Sequence, residues 1–176
     1  MDKSVRNQII GLIIVLLVVL LVVISFIAYN QWPLLTGTSI VLATAPVDPF
    51  DPFLGQYMQI RYEISTVQSI EGVKSENKVY VSLKEDNGSI WRLDSVSLTK
   101  PRKGVFIRGD VGRVYGDSMS LNYGIEKFFF ERNAELPTTN ITVEVKVASS
   151  GRASLFQLLH NGEPIEIKEK DLKLTS

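Results

Sequence analysis

A run of lipid-soluble side chains near the start constrains the rest of the chain. Residues 9–28 read IIGLIIVLLVVLLVVISFIA, in which 18 of 20 side chains are apolar and none is charged. At about 1.5 Å of rise per residue, a helix of this length spans roughly 30 Å, the thickness of a bilayer's hydrocarbon core. Val and Ile are mediocre helix formers in water. In lipid, however, the backbone must satisfy its own hydrogen bonds, so an isolated apolar run becomes helical. The sequence therefore predicts one transmembrane helix over 9–28. Tyr29 and Trp32 follow it, at the level where amphipathic rings settle among headgroups. Gly11 has no small residue four positions away, so the close-packing motif of helix dimers is missing.

Flanking charge orients the span. Lys3 and Arg6 precede it, and no Lys or Arg follows until Arg61. The positive-inside rule then puts residues 1–8 in the cytoplasm and the remainder beyond the cell membrane. A cleaved signal peptide would have an apolar core of about 7–15 residues and a small-x-small cleavage site. Here the run is longer, and Phe26 stands two residues before Ala28, so the reading is a retained signal-anchor. A juxtamembrane linker over 29–37, an extracytoplasmic β domain over 38–167 and a frayed charged tail over 168–176 complete the expected organisation.

Beyond the anchor the patterning has period two, the signature of half-buried strands. Met58, Ile60, Tyr62 and Ile64 alternate with Gln59, Arg61 and Glu63, predicting one strand with an apolar core face. Val79, Val81 and Leu83 alternate with polar neighbours, as do Ile141, Val143, Val145 and Val147. Further strands are expected near 38–44, 89–98, 104–108, 119–130 and 152–159. Asp86-Asn87-Gly88 and Asn161-Gly162 supply residues that tolerate positive φ, as tight hairpins require. Arg132–Leu136, stopped by Pro137, is the best short-helix candidate outside the membrane. The expected fold class is mainly β: an antiparallel β-sandwich or small barrel preceded by one N-terminal transmembrane helix.

Composition removes several chemistries. The 19 basic and 19 acidic residues balance, and no basic stripe accompanies the aromatic residues, so nucleic-acid binding is not expected. No Cys is present, which excludes disulfides, thiol nucleophiles and thiolate metal sites. A single His cannot build a multi-histidine centre, and no phosphate-cradling glycine loop occurs, so no cofactor is expected. His160, beside Asn161-Gly162, reads as a hairpin residue, and Arg108-Gly109-Asp110 reads as a turn between strands.

The stretch 46–65 reads PVDPFDPFLGQYMQIRYEIS. Its core, from Gly55 through Tyr57 and Arg61 to Tyr62, resembles the GDYXXLXY family, named for a Gly-Asp-Tyr…Leu-x-Tyr string. Pro46, Asp48 and Pro49 match the family's upstream Pro-x-Asp-Pro run. Tyr123-Gly124-Ile125-Glu126, leading into Phe128-Phe129-Phe130, resembles a second family string. Gln56 stands where the family has an acid, and Ile60 where it has Leu. An acid that acted there as catalyst or metal ligand would be lost in this chain. The resemblance implies a membrane-anchored protein of unknown function. It also implies a multi-pass membrane protein as partner, since members are often encoded beside one.

The candidate interaction or structural residues are therefore Asp48, Pro49, Gly55, Tyr57, Arg61, Tyr62, Tyr123, Gly124 and Glu126. Arg61 and Glu126 are expected to pair if the two motif strands are neighbours. Two function classes follow. The first is a non-enzymatic accessory module that recognises another membrane or envelope protein. The alternative is a membrane-anchored hydrolase, with Ser118 as nucleophile or Asp48, Asp51 and Glu126 as acid/base groups.

Overall fold

The computed structural model describes residues 3–45, 57–129, 137 and 139–165. The apolar run lies inside α1 (Lys3–Thr36), whose large side chains from Ile9 to Ile27 are all exposed rather than packed against the sheets. α1 is long and apolar enough to cross a membrane, with a mean hydropathy of 3.6 in its most apolar part. The chain does not leave the helix after Ala28; it stays helical through the segment read as a linker.

Pro33 lies inside that extension, and its reason for being tolerated is specific. Proline has no N–H, so it leaves the carbonyl four residues back without its helical donor. That carbonyl belongs to Tyr29, and Arg152 Nη1 donates to it at 3.1 Å. Arg152 Nη2 also reaches Asn30 Oδ1 at 3.4 Å, and the guanidinium lies 4.1 Å from the Tyr29 ring centroid. Asn30 Nδ2 in turn bonds the Phe26 carbonyl at 2.9 Å. Pro33 itself is fully buried, and Gly37 N–H closes the helix on the Pro33 carbonyl at 2.8 Å. A Cβ on Gly37 would sit 2.3 Å from that carbonyl oxygen and 2.9 Å from Val147 N, so only glycine allows the approach.

The strands are β1 (Thr38–Ala43), β2 (Tyr57–Gln59), β3 (Thr66–Gln68), β4 (Lys78–Glu85), β5 (Trp91–Ser97), β6 (Val105–Tyr115), β7 (Ser118–Asn122), β8 (Lys127–Phe129), β9 (Ile141–Val147), β10 (Ala153–His160) and β11 (Glu163–Pro164). They form a four-stranded sheet β1-β9-β10-β11, a five-stranded sheet β3-β7-β6-β4-β5 and the pair β2-β8. The sheets are antiparallel and curl into a half-barrel, so the mainly β expectation holds. Val41 bridges to Ile90 and Thr44 to Tyr62, stitching β1 to the other two groups.

Alternation places the core. Val79, Val81, Val143, Val145, Ile107 and Met119 are fully buried, each worth about 1.5–3 kcal/mol relative to exposure. Asn161 and Gly162 both have positive φ (53° and 87°) in the two-residue turn joining β10 to β11. Asp86 Oδ1 accepts from Gly88 N–H at 2.8 Å and Ile90 N–H at 3.0 Å, shaping the β4–β5 turn.

Three local expectations change. The strand expected over Met58–Ile64 stops at Gln59 and becomes a 3-10 turn at Glu63–Ser65, held by Ser65 N–H on the Tyr62 carbonyl at 2.9 Å. The strand expected over 119–130 splits at Tyr123–Glu126, where Gly124 turns at φ 81°. Arg108-Gly109-Asp110 is not a turn: it lies mid-strand in β6, with pairs to Tyr80, Val79 and Lys78. Gly109 is there because the Tyr123 ring lies across it, and a Cβ would meet Tyr123 Cε1 at 3.0 Å. The short helix expected at Arg132–Leu136 and the tail over 168–176 lie outside the described residues.

Candidate functional site

Two chain segments distant in sequence meet at the family-like motifs. Despite the broken strand, burial keeps its alternation: Met58, Ile60, Tyr62 and Ile64 are buried, while Gln59, Arg61 and Glu63 are exposed. β2 pairs with β8 through Tyr57–Phe129, Met58–Phe128 and Gln59–Lys127. Ile60 N–H then continues the contact to the Glu126 carbonyl at 2.7 Å.

The two tyrosines lock these segments reciprocally. Tyr62 Oη donates to the Ile125 carbonyl at 2.7 Å, and Tyr123 Oη donates to the Ile64 carbonyl at 2.6 Å. Each ring comes from one segment and satisfies a buried acceptor of the other. An unmet buried carbonyl is costly, so the pair specifies how the segments dock. Burial, and secondarily the Glu126 carboxylate, push both phenols well above the ordinary tyrosine range. They act as neutral donors, not as proton-transfer groups.

Glu126 is committed locally. Its Oε1 accepts from Tyr123 N–H and its Oε2 from Gly124 N–H at 2.9 Å, capping the turn that Gly124 makes possible. The expected Arg61–Glu126 pair does not form. A carboxylate three residues from orphan amides finds them before it finds a side chain on another segment. Arg61 is exposed, and its carbonyl accepts from Ala45 N–H at 2.8 Å. The ion pairs among the described residues join Arg92 to Glu63 at 2.6 Å and to Asp86 at 2.8 Å. The Arg92 hydrogen bond, with Gly88 and Ile90 N–H behind it, holds the Asp86 carboxyl below its usual range.

Of the sequence-derived candidates, the fold brings together Tyr62, Tyr123, Gly124 and Glu126, with Arg61 on the adjoining surface. Tyr57 contributes its backbone to β2. Asp48, Pro49 and Gly55 lie outside the described residues, as does Asp51. Ser118 is exposed at the start of β7, paired with Gln68 and Tyr115. His160 is half-buried, its Nδ1 3.1 Å from the Thr139 carbonyl and its Nε2 2.9 Å from Asn161 Nδ2. Among the described residues, no group of three or more His, Asp or Glu side chains is set to hold a metal.

Two features escaped the sequence reading. An open cleft of about 550 Å3 lies between the β4–β5 and β10–β11 turns, with Val41, Thr44, Ser89, Ile90, Asn140 and Asn161 on its walls. Its lining carries no charge. The other is Arg152, whose partners lie more than 120 positions away and leave no local signal; only Pro33, inside a helical run, hints that Tyr29 needs an outside donor. A family model described as GDYXXLXY protein matches residues 19–158, taking in α1 from Val19 onward and the sheets to β10. No curated protein and no solved structure matches the chain.

Proposed function

We propose, for a chain that belongs to the GDYXXLXY family, the role of a single-pass accessory module without catalysis of its own. Its N-terminus is cytoplasmic, and its β domain stands outside the cell membrane, where it recognises a neighbouring multi-pass membrane protein. The observation that carries this reading is the mount formed by Arg152, Tyr29, Asn30 and Pro33. Enzymes that act near a bilayer can hang from a flexible tether. A domain held at one attitude to its span presents the same face to every membrane neighbour. The motif segments support the same reading, because Tyr62, Tyr123 and Glu126 are spent on internal docking while Gln59 and Arg61 stand at the surface.

Site-specific photocrosslinking in native membranes tests this. Reactive groups at positions 59 and 61 should capture one and the same membrane protein, and a group at position 84 should not. Absence of any crosslink from the motif face, under conditions that capture known membrane complexes, would refute the partner. Labelling by a serine-reactive probe that disappears in Ser118→Ala would refute the non-catalytic role. Protease added outside intact spheroplasts should digest the β domain; full protection would reverse the topology.

A further inference from the structure

We infer that the base of the β domain is a contact surface for anionic phospholipid headgroups, centred on Arg152 and extended by the β5–β6 loop. The inference rests on α1 spanning a bilayer, and on two independent observations: where the guanidinium sits, and how charge is distributed.

Position comes first. A bilayer's headgroup layer adds about 5–8 Å on each side of its hydrocarbon core. Tyr29 is the first residue after the apolar run, so its ring lies at the start of that layer. Arg152 stacks on this ring at 4.1 Å, which puts a guanidinium among the headgroups. Its protein acceptors, the Tyr29 carbonyl and Asn30 Oδ1, are both neutral. A guanidinium has five donors in a fork that matches phosphate oxygens, and these two contacts leave donors over.

Charge segregation is the second observation. The β9–β10 turn that carries Arg152 rests on β6: Arg108 N–H donates to the Gly151 carbonyl at 2.8 Å, and Gly151 abuts the Phe106 ring. Lys100 from the β5–β6 loop lies over the same ring, its ammonium 5.8 Å from the Phe106 centroid. The Lys146 backbone flanks Gly37 at the helix end, and the Lys146 ammonium lies 5.0 Å from the Phe156 ring centroid on β10. The segments that meet here, 29–40, 97–108 and 145–154, hold Lys100, Arg102, Lys103, Arg108, Lys146 and Arg152 and no Asp or Glu; Glu144 borders them, its carboxylate accepting from Ser39 Oγ. The other described residues beyond residue 28 hold 7 basic and 11 acidic side chains. Among the described residues, none of the six cations is in an ion pair. Among the described residues the domain is thus positive beside the end of α1 and negative elsewhere, the arrangement that an anionic surface attracts.

The full chain carries its own reporter. It has two Trp, and Trp91→Phe leaves Trp32, which is 57% exposed on α1 one turn past Tyr29. This variant is reconstituted in phosphatidylcholine vesicles containing equal mole fractions of brominated phosphatidylcholine or brominated phosphatidylglycerol, and Trp32 quenching is compared. The anionic lipid should quench with about two- to threefold higher relative affinity, a preference that falls toward one at about 0.5 M salt. Arg152→Gln should remove most of it. The exposed double variant Arg102→Gln/Lys103→Gln should remove part, whereas Lys74→Gln/Arg113→Gln should leave it intact. Equal quenching by the two lipids, or a preference surviving both basic-to-Gln variants, overturns the inference. Loss of the preference on adding millimolar glycerol phosphate points to a small-anion site and overturns it as well. No quenching by either lipid refutes the membrane span itself, and the inference with it.

Discussion

Replacing Tyr62 by Phe isolates the energetic role of the tyrosine clamp. The ring is 1% exposed, and Phe keeps its packing while deleting one hydroxyl. Two terms follow. The Tyr62–Ile125 hydrogen bond at 2.7 Å contributes about 1 kcal/mol net, and its removal strands a buried carbonyl, so the whole change costs about 2 kcal/mol. For a domain of this size that lowers Tm by about 5–8 °C. Tyr115→Phe is the matched control. Its ring is 60% exposed and its hydroxyl accepts from exposed Arg113 at 3.1 Å, so the expected change stays within about 0.5 kcal/mol. Tyr123→Phe removes the reciprocal bond at 2.6 Å from the same two segments. Because both bonds hold one interface, the double variant should lose less than the sum by about 0.5 kcal/mol or more. Thermal unfolding of the full chain in detergent micelles, followed through the β signal in circular dichroism, reads all four proteins. A Tyr62→Phe shift no larger than that of Tyr115→Phe would show that the clamp does not hold the motifs together.

Alkaline pH should destabilise the domain through the same two residues. In the unfolded chain both phenols ionise near pH 10, whereas burial, aided by Glu126, holds them neutral when folded. Unfolding then releases protons, so the stabilisation is complete below about pH 10 and declines above it, by up to about 2.7 kcal/mol per pH unit for the pair. Urea midpoints across that range measure the decline, and a folded protein whose Tyr62 and Tyr123 titrate alongside exposed tyrosines would refute it. Gly37→Ala should loosen the junction of α1 with β9, because its Cβ would strike backbone atoms that cannot yield, whereas Gly11→Ala has open space and should be silent. Spin-label distances between α1 and β9 should broaden in the first variant only; an unchanged distribution in Gly37→Ala would count against the junction described above.

Periodicity made the interior legible. The alternation at 58–64, 79–83 and 141–147 marks buried positions even where the strand itself breaks off at Gln59. Side-chain facing is a local property of extended backbone, which continues through Tyr62 beyond the last ladder pair, and Ile64 is buried from within the 3-10 turn. What a period cannot carry is the identity of long-range partners. The clamp joins residues 63 and 59 positions apart, and Arg152 reaches back 123 positions to Tyr29. Glu126 was legible as a motif residue but not as a turn cap, because its competing partners were two amides that only Gly124's positive φ brings into reach. Likewise, Gly109 looked like turn chemistry when the reason for it was the ring of Tyr123 lying across the strand.

The unbroken passage from α1 into β1 has a mechanical corollary. A rod fused to a body works as a lever: when the rod leans, the body's far rim swings. Single spans lean by about 20° on average and adjust that angle to bilayer thickness. For a globule about 35 Å across, such a lean would carry the outer rim sideways by roughly 12 Å. Thinning or thickening of the surrounding lipid would therefore be amplified into lateral travel at the outermost loops.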